Sequence, residues 1–191
     1  MFEQCEWINE PPEWKIDDHQ LQVITGGNTD FWRQTQYGFI RDTGHCFAHR
    51  TTGDFSAQVH VQGEFNTLYD QAALMVRVDE TTWLKAGAEF TDGALALSTV
   101  LTVSRSDWGL GPSLNPHDGF WVRLTVSQGV LRAQYSIDGA RWPLLRLAPF
   151  PVAQRYRVGP MCCSPEREGL SVTFSAFEVG EPLQKDLHDL T

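Results

Sequence analysis

Apolar and polar positions alternate with period two through most of the chain, and no window carries the spacing of a long amphipathic helix. Strands are predicted over 21–25, 46–50, 55–63, 71–78 and 83–90, then over 95–103, 120–127, 130–137, 142–150, 156–162 and 170–177. Turn formers separate them: Thr52-Gly53-Asp54, Asp92-Gly93, Gln128-Gly129, Asp138-Gly139 and the run from Pro165 to Gly169. Many short strands with turns at close intervals mean an all-β sandwich or a closed barrel. At 191 residues the chain fits one such domain, with 181–191 an exposed acidic tail.

The stretch 69–90, YDQAALMVRVDETTWLKAGAEF, shows the alternation in most detail. One side carries Ala72, Leu74, Val76 and Val78, matched by Leu84, Ala86, Ala88 and Phe90, and is the predicted core face. The other side carries Gln71, Ala73, Met75 and Arg77, then Trp83, Lys85, Gly87 and Glu89. A two-residue turn at Glu80-Thr81 would pair Asp79 with Thr82 and swap the faces. A longer loop is therefore expected. Five residues place Arg77 opposite Trp83, Met75 opposite Lys85 and Gln71 opposite Glu89, whereas three would oppose Arg77 and Lys85, a like-charge pair. The five-residue loop is preferred, with a cation–π contact between Arg77 and Trp83.

Asp138-Gly139 in YSIDGARW is a type I′ hairpin signal. A two-residue turn there would pair Tyr135 with Trp142 on the face that holds Leu131, Ala133 and Leu144, making Trp142 a core residue. In 120–127, Phe120, Val122, Leu124 and Val126 point inward and Trp121, Arg123 and Thr125 outward. If these strands share the sheet of the 69–90 hairpin, a single face displays Gln71, Arg77, Lys85, Glu89, Arg123 and Gln134 beside tryptophans. Amide, guanidinium and ammonium donors next to flat rings suit a sugar, whose hydroxyls take paired hydrogen bonds while its C–H face stacks. The plain alternative is a solvated sheet face with long side chains lying over apolar surface.

Charge narrows the partners. The formal net charge of −9 argues against nucleic acid, which needs an excess of Lys and Arg, and against an acidic membrane surface. No apolar run approaches a membrane span, and the first residues, MFEQCEWINEPPEW, lack the form of a signal peptide, so a cytoplasmic location is expected. The four cysteines are then expected to be reduced thiols. His45 and His49 lie on one strand face but roughly 13 Å apart at ~3.3 Å per residue, too far for one metal ion. Asn115 with Asp118 is the best calcium candidate, with a plain turn the simpler account. Neither a metal nor a cofactor is expected: GGNTDFW lacks the strand–loop–helix context of a phosphate loop.

INEPPEW, DFWRQTQYGFIRDTGHCF, the block from Gly53 to Trp108, YSIDGARW and VGPMCCSPEREGL resemble a bacterial and fungal family of unknown function that includes a fungal "regulation of enolase" protein. The resemblance covers nearly the whole chain. It implies a concanavalin A-like lectin/glucanase fold, a two-sheet antiparallel jelly-roll sandwich with one concave sheet. Relatives elsewhere in that superfamily bind or cleave glycans on the concave face, but a fold hosts unrelated functions. The Glu-x-Asp-x-Glu strand of its glucanases is missing here; only Glu89 stands on the polar side, with Asp70 or Asp107 as partners from other strands. An enzyme is thus less expected than a binding protein.

The segment 104–120, SRSDWGLGPSLNPHDGF, is read as a long loop that brings Asp107 and Trp108 to a cleft. The expected ligand is a carbohydrate or an anionic small molecule, bound by Gln71, Arg77, Trp83, Lys85, Glu89, Asp107, Trp108, Trp121 and Arg123. A protein-interaction module in metabolic regulation is the alternative, and a glycoside hydrolase the third.

Overall fold

The computed structural model describes residues 1–115 and 118–191. After a 3-10 turn at Phe2–Gln4 come β1 (Cys5–Ile8), β2 (Glu13–Asp17), β3 (Gln20–Ile24), β4 (Phe31–Arg33), β5 (Ile40–Asp42), β6 (His45–Thr51), β7 (Phe55–Gly63) and β8 (Gln71–Asp79). The chain continues with β9 (Thr82–Thr91), β10 (Ala94–Val103), β11 (Arg105–Ser113), β12 (Phe120–Ser127), β13 (Val130–Ser136), β14 (Leu144–Pro149), β15 (Tyr156–Cys163) and β16 (Ser171–Gly180). Two antiparallel seven-stranded sheets form, in the orders β1-β6-β15-β8-β9-β10-β11 and β14-β13-β12-β7-β16-β3-β2, while β4 and β5 make a separate hairpin. No helix among the described residues is long and apolar enough to cross a membrane.

The sandwich is the direct outcome of the alternation. Leu74, Val76, Leu84, Ala86 and Leu95 from the first sheet meet Val59, Val61, Val122, Leu124, Leu131 and Phe174 from the second in one buried core. Each Leu, Val or Phe of this set contributes about 1.5–3 kcal/mol on leaving water, and a register slip of one residue would turn the whole row outward. The strands also approach closely. At Gly159 in β15 a Cβ would lie 2.0 Å from the Phe47 carbonyl oxygen in β6, so only glycine fits there.

Three expectations about connections are corrected. The β8–β9 register is as predicted, with Gln71, Met75 and Arg77 opposite Glu89, Lys85 and Trp83. The five-residue loop is not formed, however. Asp79 pairs with Thr82 across a two-residue turn, and a bulge between Arg77 and Asp79 restores the faces that such a turn would swap. Second, residues 105–113 of the predicted loop are an edge strand, β11, paired with β10 through a tight turn at Ser104 (φ 67°). Pro116 and His117 of that segment lie outside the described residues. The Asp118 N–H donates to the Asn115 carbonyl at 3.2 Å.

Third, the type I′ turn does not form. Gly139 has positive φ but Asp138 does not, and Asp138 Oδ1 instead accepts from the N–H groups of Ala140 (2.8 Å) and Arg141 (2.9 Å). The longer connection pairs Gln134 with Leu144 and moves Trp142 to the outer face of the second sheet. Trp142 is buried there, outside the core, beneath the Arg123 guanidinium at 3.6 Å from its ring centre. The tail is also tethered. Arg132 donates to the Lys185 carbonyl (3.1 Å), the Leu183 N–H to Ser56 Oγ (2.8 Å) and the Trp142 N–H to the Leu190 carbonyl (2.8 Å), although most tail side chains face solvent.

One fully buried carboxylate locks the turn before β8. Asp70 accepts from the N–H groups of Asn66 and Thr67, from Ser164 Oγ and from the Arg167 guanidinium at 2.6 Å. Asp70→Ala strands that guanidinium and is expected to destabilise the fold by about 3–5 kcal/mol. Urea unfolding measures it, and a loss below about 1 kcal/mol would show the pair to be dispensable.

Candidate functional site

The outer face of the first sheet is covered, and the cover comes from far away in sequence. Residues 25–44 cross it, with β4 and β5 paired as Phe31–Asp42, Trp32–Arg41 and Arg33–Ile40. Asp30 organises the crossing. Its carbonyl accepts from the N–H groups of Thr43 and Gly44, both at 2.9 Å, and its Oδ1 accepts from the Phe31 N–H at 2.8 Å. Phe31 then packs with Trp83, Ala73, Met75, Val100, Met161 and Cys163 in a second buried core. His45 fastens the neighbouring loops, donating from Nδ1 to the Asn9 carbonyl (2.8 Å) and accepting the Gly26 N–H at Nε2 (3.1 Å).

Two ion pairs hold the cover down. Arg77 donates to both carboxylate oxygens of Asp42, from Nη2 to Oδ2 at 2.8 Å, and is only 8% exposed. Burial would lower the Arg77 pKa, but the hydrogen bond and charge of Asp42 outweigh it and the net direction is up. Lys85 donates from Nζ to Gln71 Oε1 (2.6 Å) and to Asp30 Oδ1 (3.2 Å). Its burial is likewise outweighed, first by the charge of Asp30, so the ammonium stays protonated.

Beside Lys85 the cover stops short and leaves a cleft of about 130 Å³. Asp30, Gln71, Lys85 and Glu89 form its floor; Trp32, Tyr37, Phe39, Tyr69 and Trp108 form its walls, with Arg41 and Glu166 at the rim. Glu89 is 4% exposed, and burial pushes its carboxyl up to about 7 against the pull of the Lys85 charge. Trp108 Nε1 donates to Ser98 Oγ at 3.1 Å, and Ser98 Oγ donates to Glu89 Oε2 over a longer 3.4 Å. Tyr37 and Tyr69 join across the mouth through their hydroxyls, 2.9 Å apart. Near neutral pH the floor therefore offers an ammonium, an amide and a carboxyl that can either donate or accept a proton. Among the described residues, no group of three or more His, Cys, Asp or Glu side chains could hold a metal ion.

Residues 7–182 match the model of the family described as "Protein of unknown function (DUF1349)". The chain belongs to this family. Within the family's reach it is 50% identical, over 98% of its length and 95% of the relative's, to "Regulation of enolase protein 1" of Saccharomyces cerevisiae. A crystal structure of a functionally unknown protein from that yeast superposes with a TM-score of 0.92 at 49% identity, covering 95% of this chain and 98% of that one. A GH43 protein from Bacillus licheniformis superposes at a TM-score of 0.68 with 12% identity, covering 92% of this chain but 36% of that one. At that identity the likeness concerns the sandwich alone.

The fold divides the nine predicted ligand residues. Gln71, Lys85, Glu89 and Trp108 come together in the cleft. Arg77 is closed off by Asp42, and Trp83, 1% exposed, is a core residue, so neither can touch a guest. The expected Arg77–Trp83 cation–π contact is replaced by Arg77 over Phe31 (5.7 Å) and Lys85 over Trp83 (5.8 Å). Asp107 pairs with Arg146 at 2.7 Å and does not line the cleft. Trp121 and Arg123 belong to β12, in the other sheet, so the assumption of one shared face is wrong. Neither Asp70 nor Asp107 lines the cleft with Glu89; the other carboxylates that do are Asp30 on its floor and Glu166 at its rim. Asp30, Trp32, Tyr37 and Phe39 were not singled out, although the dense aromatics of DFWRQTQYGF marked the segment.

Glu89 gives a pH signature. Its folded carboxyl holds its proton up to about 7, whereas the unfolded one loses it near 4.5. Stability from this group is complete below about pH 4.5 and drains as pH rises towards 7, by on the order of 3 kcal/mol. Glu89→Gln is expected to remove this slope, so that the variant gains on the parent at pH 8 relative to pH 5 in urea unfolding. Parallel profiles for the two proteins would rule out a protonated Glu89.

Proposed function

We propose that this protein binds a small neutral carbohydrate in the cleft above Lys85. The observation that carries the reading is a buried floor of Lys85, Gln71, Glu89 and Asp30 set within walls of five aromatic side chains. Sugar hydroxyls need donors and acceptors side by side, and a pyranose ring needs a flat apolar surface for its C–H face; the cleft supplies both. Lys85 uses two of its three N–H donors on described residues, which leaves one for a guest. Sites for drug-sized ligands run to about 300–1,000 Å³, so a cleft of about 130 Å³ suits a single ring.

A strongly anionic ligand is less well supported than a neutral one. Both cations that prompted it are paired, Arg77 with Asp42 and Lys85 with Asp30, and at the rim Arg41 is matched by Glu166. Hydrolysis would use Glu89 as acid and Asp30 as the second carboxylate, but Asp30 Oδ1 already holds Lys85 and the Phe31 N–H. Binding without turnover is the economical reading. Regulation through a protein partner, in keeping with the yeast relative's name, would need an interface of some 20–30 residues a side.

Calorimetry and ligand-observed NMR with glucose, galactose, mannose, xylose, glucuronate and glucose 6-phosphate test this. At least one neutral sugar is expected to bind with a Kd of roughly 1 mM or below, and Trp108→Ala to weaken it about tenfold. Failure of every neutral sugar at about 10 mM, or tighter binding of the two anions than of any neutral sugar, would overturn it.

A further inference from the structure

The cleft is closed at one end and continues onto an apolar surface at the other. Its floor residues are 4–8% exposed, and the space beside Gln71, Lys85 and Glu89 amounts to about 10 Å³, no more than one water could use. At the mouth the β4–β5 tip does the opposite. Tyr37 is 46% exposed, Phe39 36% and Ile40 49%, with Leu68 at 45% on the connection before β8. Tyr37 and Phe39 also line the cleft, so the exposed surface and the pocket wall are made from the same two rings.

These rings are held rather than loose. Tyr37 and Phe39 stack with centroids 5.5 Å apart and planes inclined by 16°. The Arg41 guanidinium lies 4.6 Å from the Phe39 centroid, Trp32 meets Tyr37 at 5.7 Å edge-on, and Tyr69 holds the Tyr37 hydroxyl. The turn behind them is tightly bonded: the Gly38 N–H donates to the Gln34 carbonyl and the Gln34 N–H to the Phe39 carbonyl, both at 2.7 Å. Gln34 and Gln36 both adopt positive φ, 65° and 63°, a conformation that costs non-glycine residues energy and recurs at ligand clamps. A turn held in this way presents the Tyr37 ring, backed by Phe39 with Arg41 over it, as a preorganised surface that loses little freedom on binding.

We infer that the cleft receives the terminal residue of a glycan chain and that the Tyr37–Phe39 surface is a second subsite, stacking the next sugar ring. This rests on the carbohydrate reading above. A cleft of about 130 Å³ has room for a single ring, which suits the end residue of a chain, and the chain then leaves over the β4–β5 tip. Four exposed apolar side chains fall well short of a protein interface, whereas one sugar ring needs one or two aromatic faces. The exposed Gln34 and Gln36 on the same tip add amide groups for its hydroxyls.

The test is chain-length dependence, measured by calorimetry with glucose, galactose, mannose and xylose, each against its 1,4-linked disaccharide. For the sugar that binds, the disaccharide is expected to bind about tenfold tighter than the monosaccharide. Phe39→Ala and Tyr37→Ala, read separately, are each expected to reduce that ratio to below about threefold. The ratio, not either constant, is the readout, so a general weakening of the cleft does not mimic the result. A parent ratio near one, or a ratio unchanged in both variants, overturns the second subsite while leaving the carbohydrate reading intact. Absence of binding by every mono- and disaccharide overturns both.

Discussion

Two ion pairs made across the outer face of the first sheet, Lys85–Asp30 and Arg77–Asp42, are what the rest of the arrangement depends on. Without them β8 and β9 would bury an unpaired ammonium and guanidinium, and the 25–44 segment would be left with its apolar packing and hydrogen bonds such as those of Thr29 to Ser164 and of Arg33 to Ser106. With them the segment lies down, Phe31 reaches Trp83, and a second apolar core closes on the side of the sheet opposite the first. Desolvating a charge costs several kcal/mol, so each pair is sustained by its geometry. Arg77 meets Asp42 through two hydrogen bonds, and Lys85 has Gln71 as well as Asp30.

The cleft follows from where this cover ends. Arg77 lies beneath the paired part of the hairpin, close to Phe31, and is sealed. Lys85 and Glu89 lie further along β9, past Asp30, where the chain has turned away and aromatic side chains bound a space without filling it. The same burial that fastens the cover therefore produces a polar floor of low dielectric character, where hydrogen bonds to a guest are stronger than in water. Glu89 shows the cost: it is buried and, among the described residues, Lys85 beside it is shared with Asp30, so its proton is kept to near neutral pH.

Most of the sandwich was legible because period-two alternation reports directly on which face meets the core. Ten of the predicted strands needed only small changes at their ends, and the β8–β9 register was correct down to individual pairs. What failed was parity and distance. A bulge at Val78 and a seven-residue connection over 137–143 each change which face a side chain takes, and neither leaves a mark in the hydrophobic pattern. The outward row of β8 and β9 looked wet because its cover lies some forty residues earlier, in strands of three residues that are too short to show a period. Gln71, Lys85, Glu89 and Trp108 were found from alternation and residue type. Asp30, Tyr37 and Phe39 were not, since only the folded topology brings them to the same place.

The contrast between the two ion pairs bears on function. A buried pair is weak evidence for stability, because apolar replacements of matching shape often do as well. Arg77–Asp42 lies away from the cleft and needs no role beyond fixing the hairpin's position. Lys85 is different: its ammonium sits at the base of an open cleft, its partners are an amide and a carboxylate shared with the backbone of the cover, and an N–H remains unspent. Leaving a charged group, an amide and a protonatable carboxyl together at the bottom of an aromatic-walled space retains desolvation cost that packing alone does not require, and a guest that completes their hydrogen bonds would recover it.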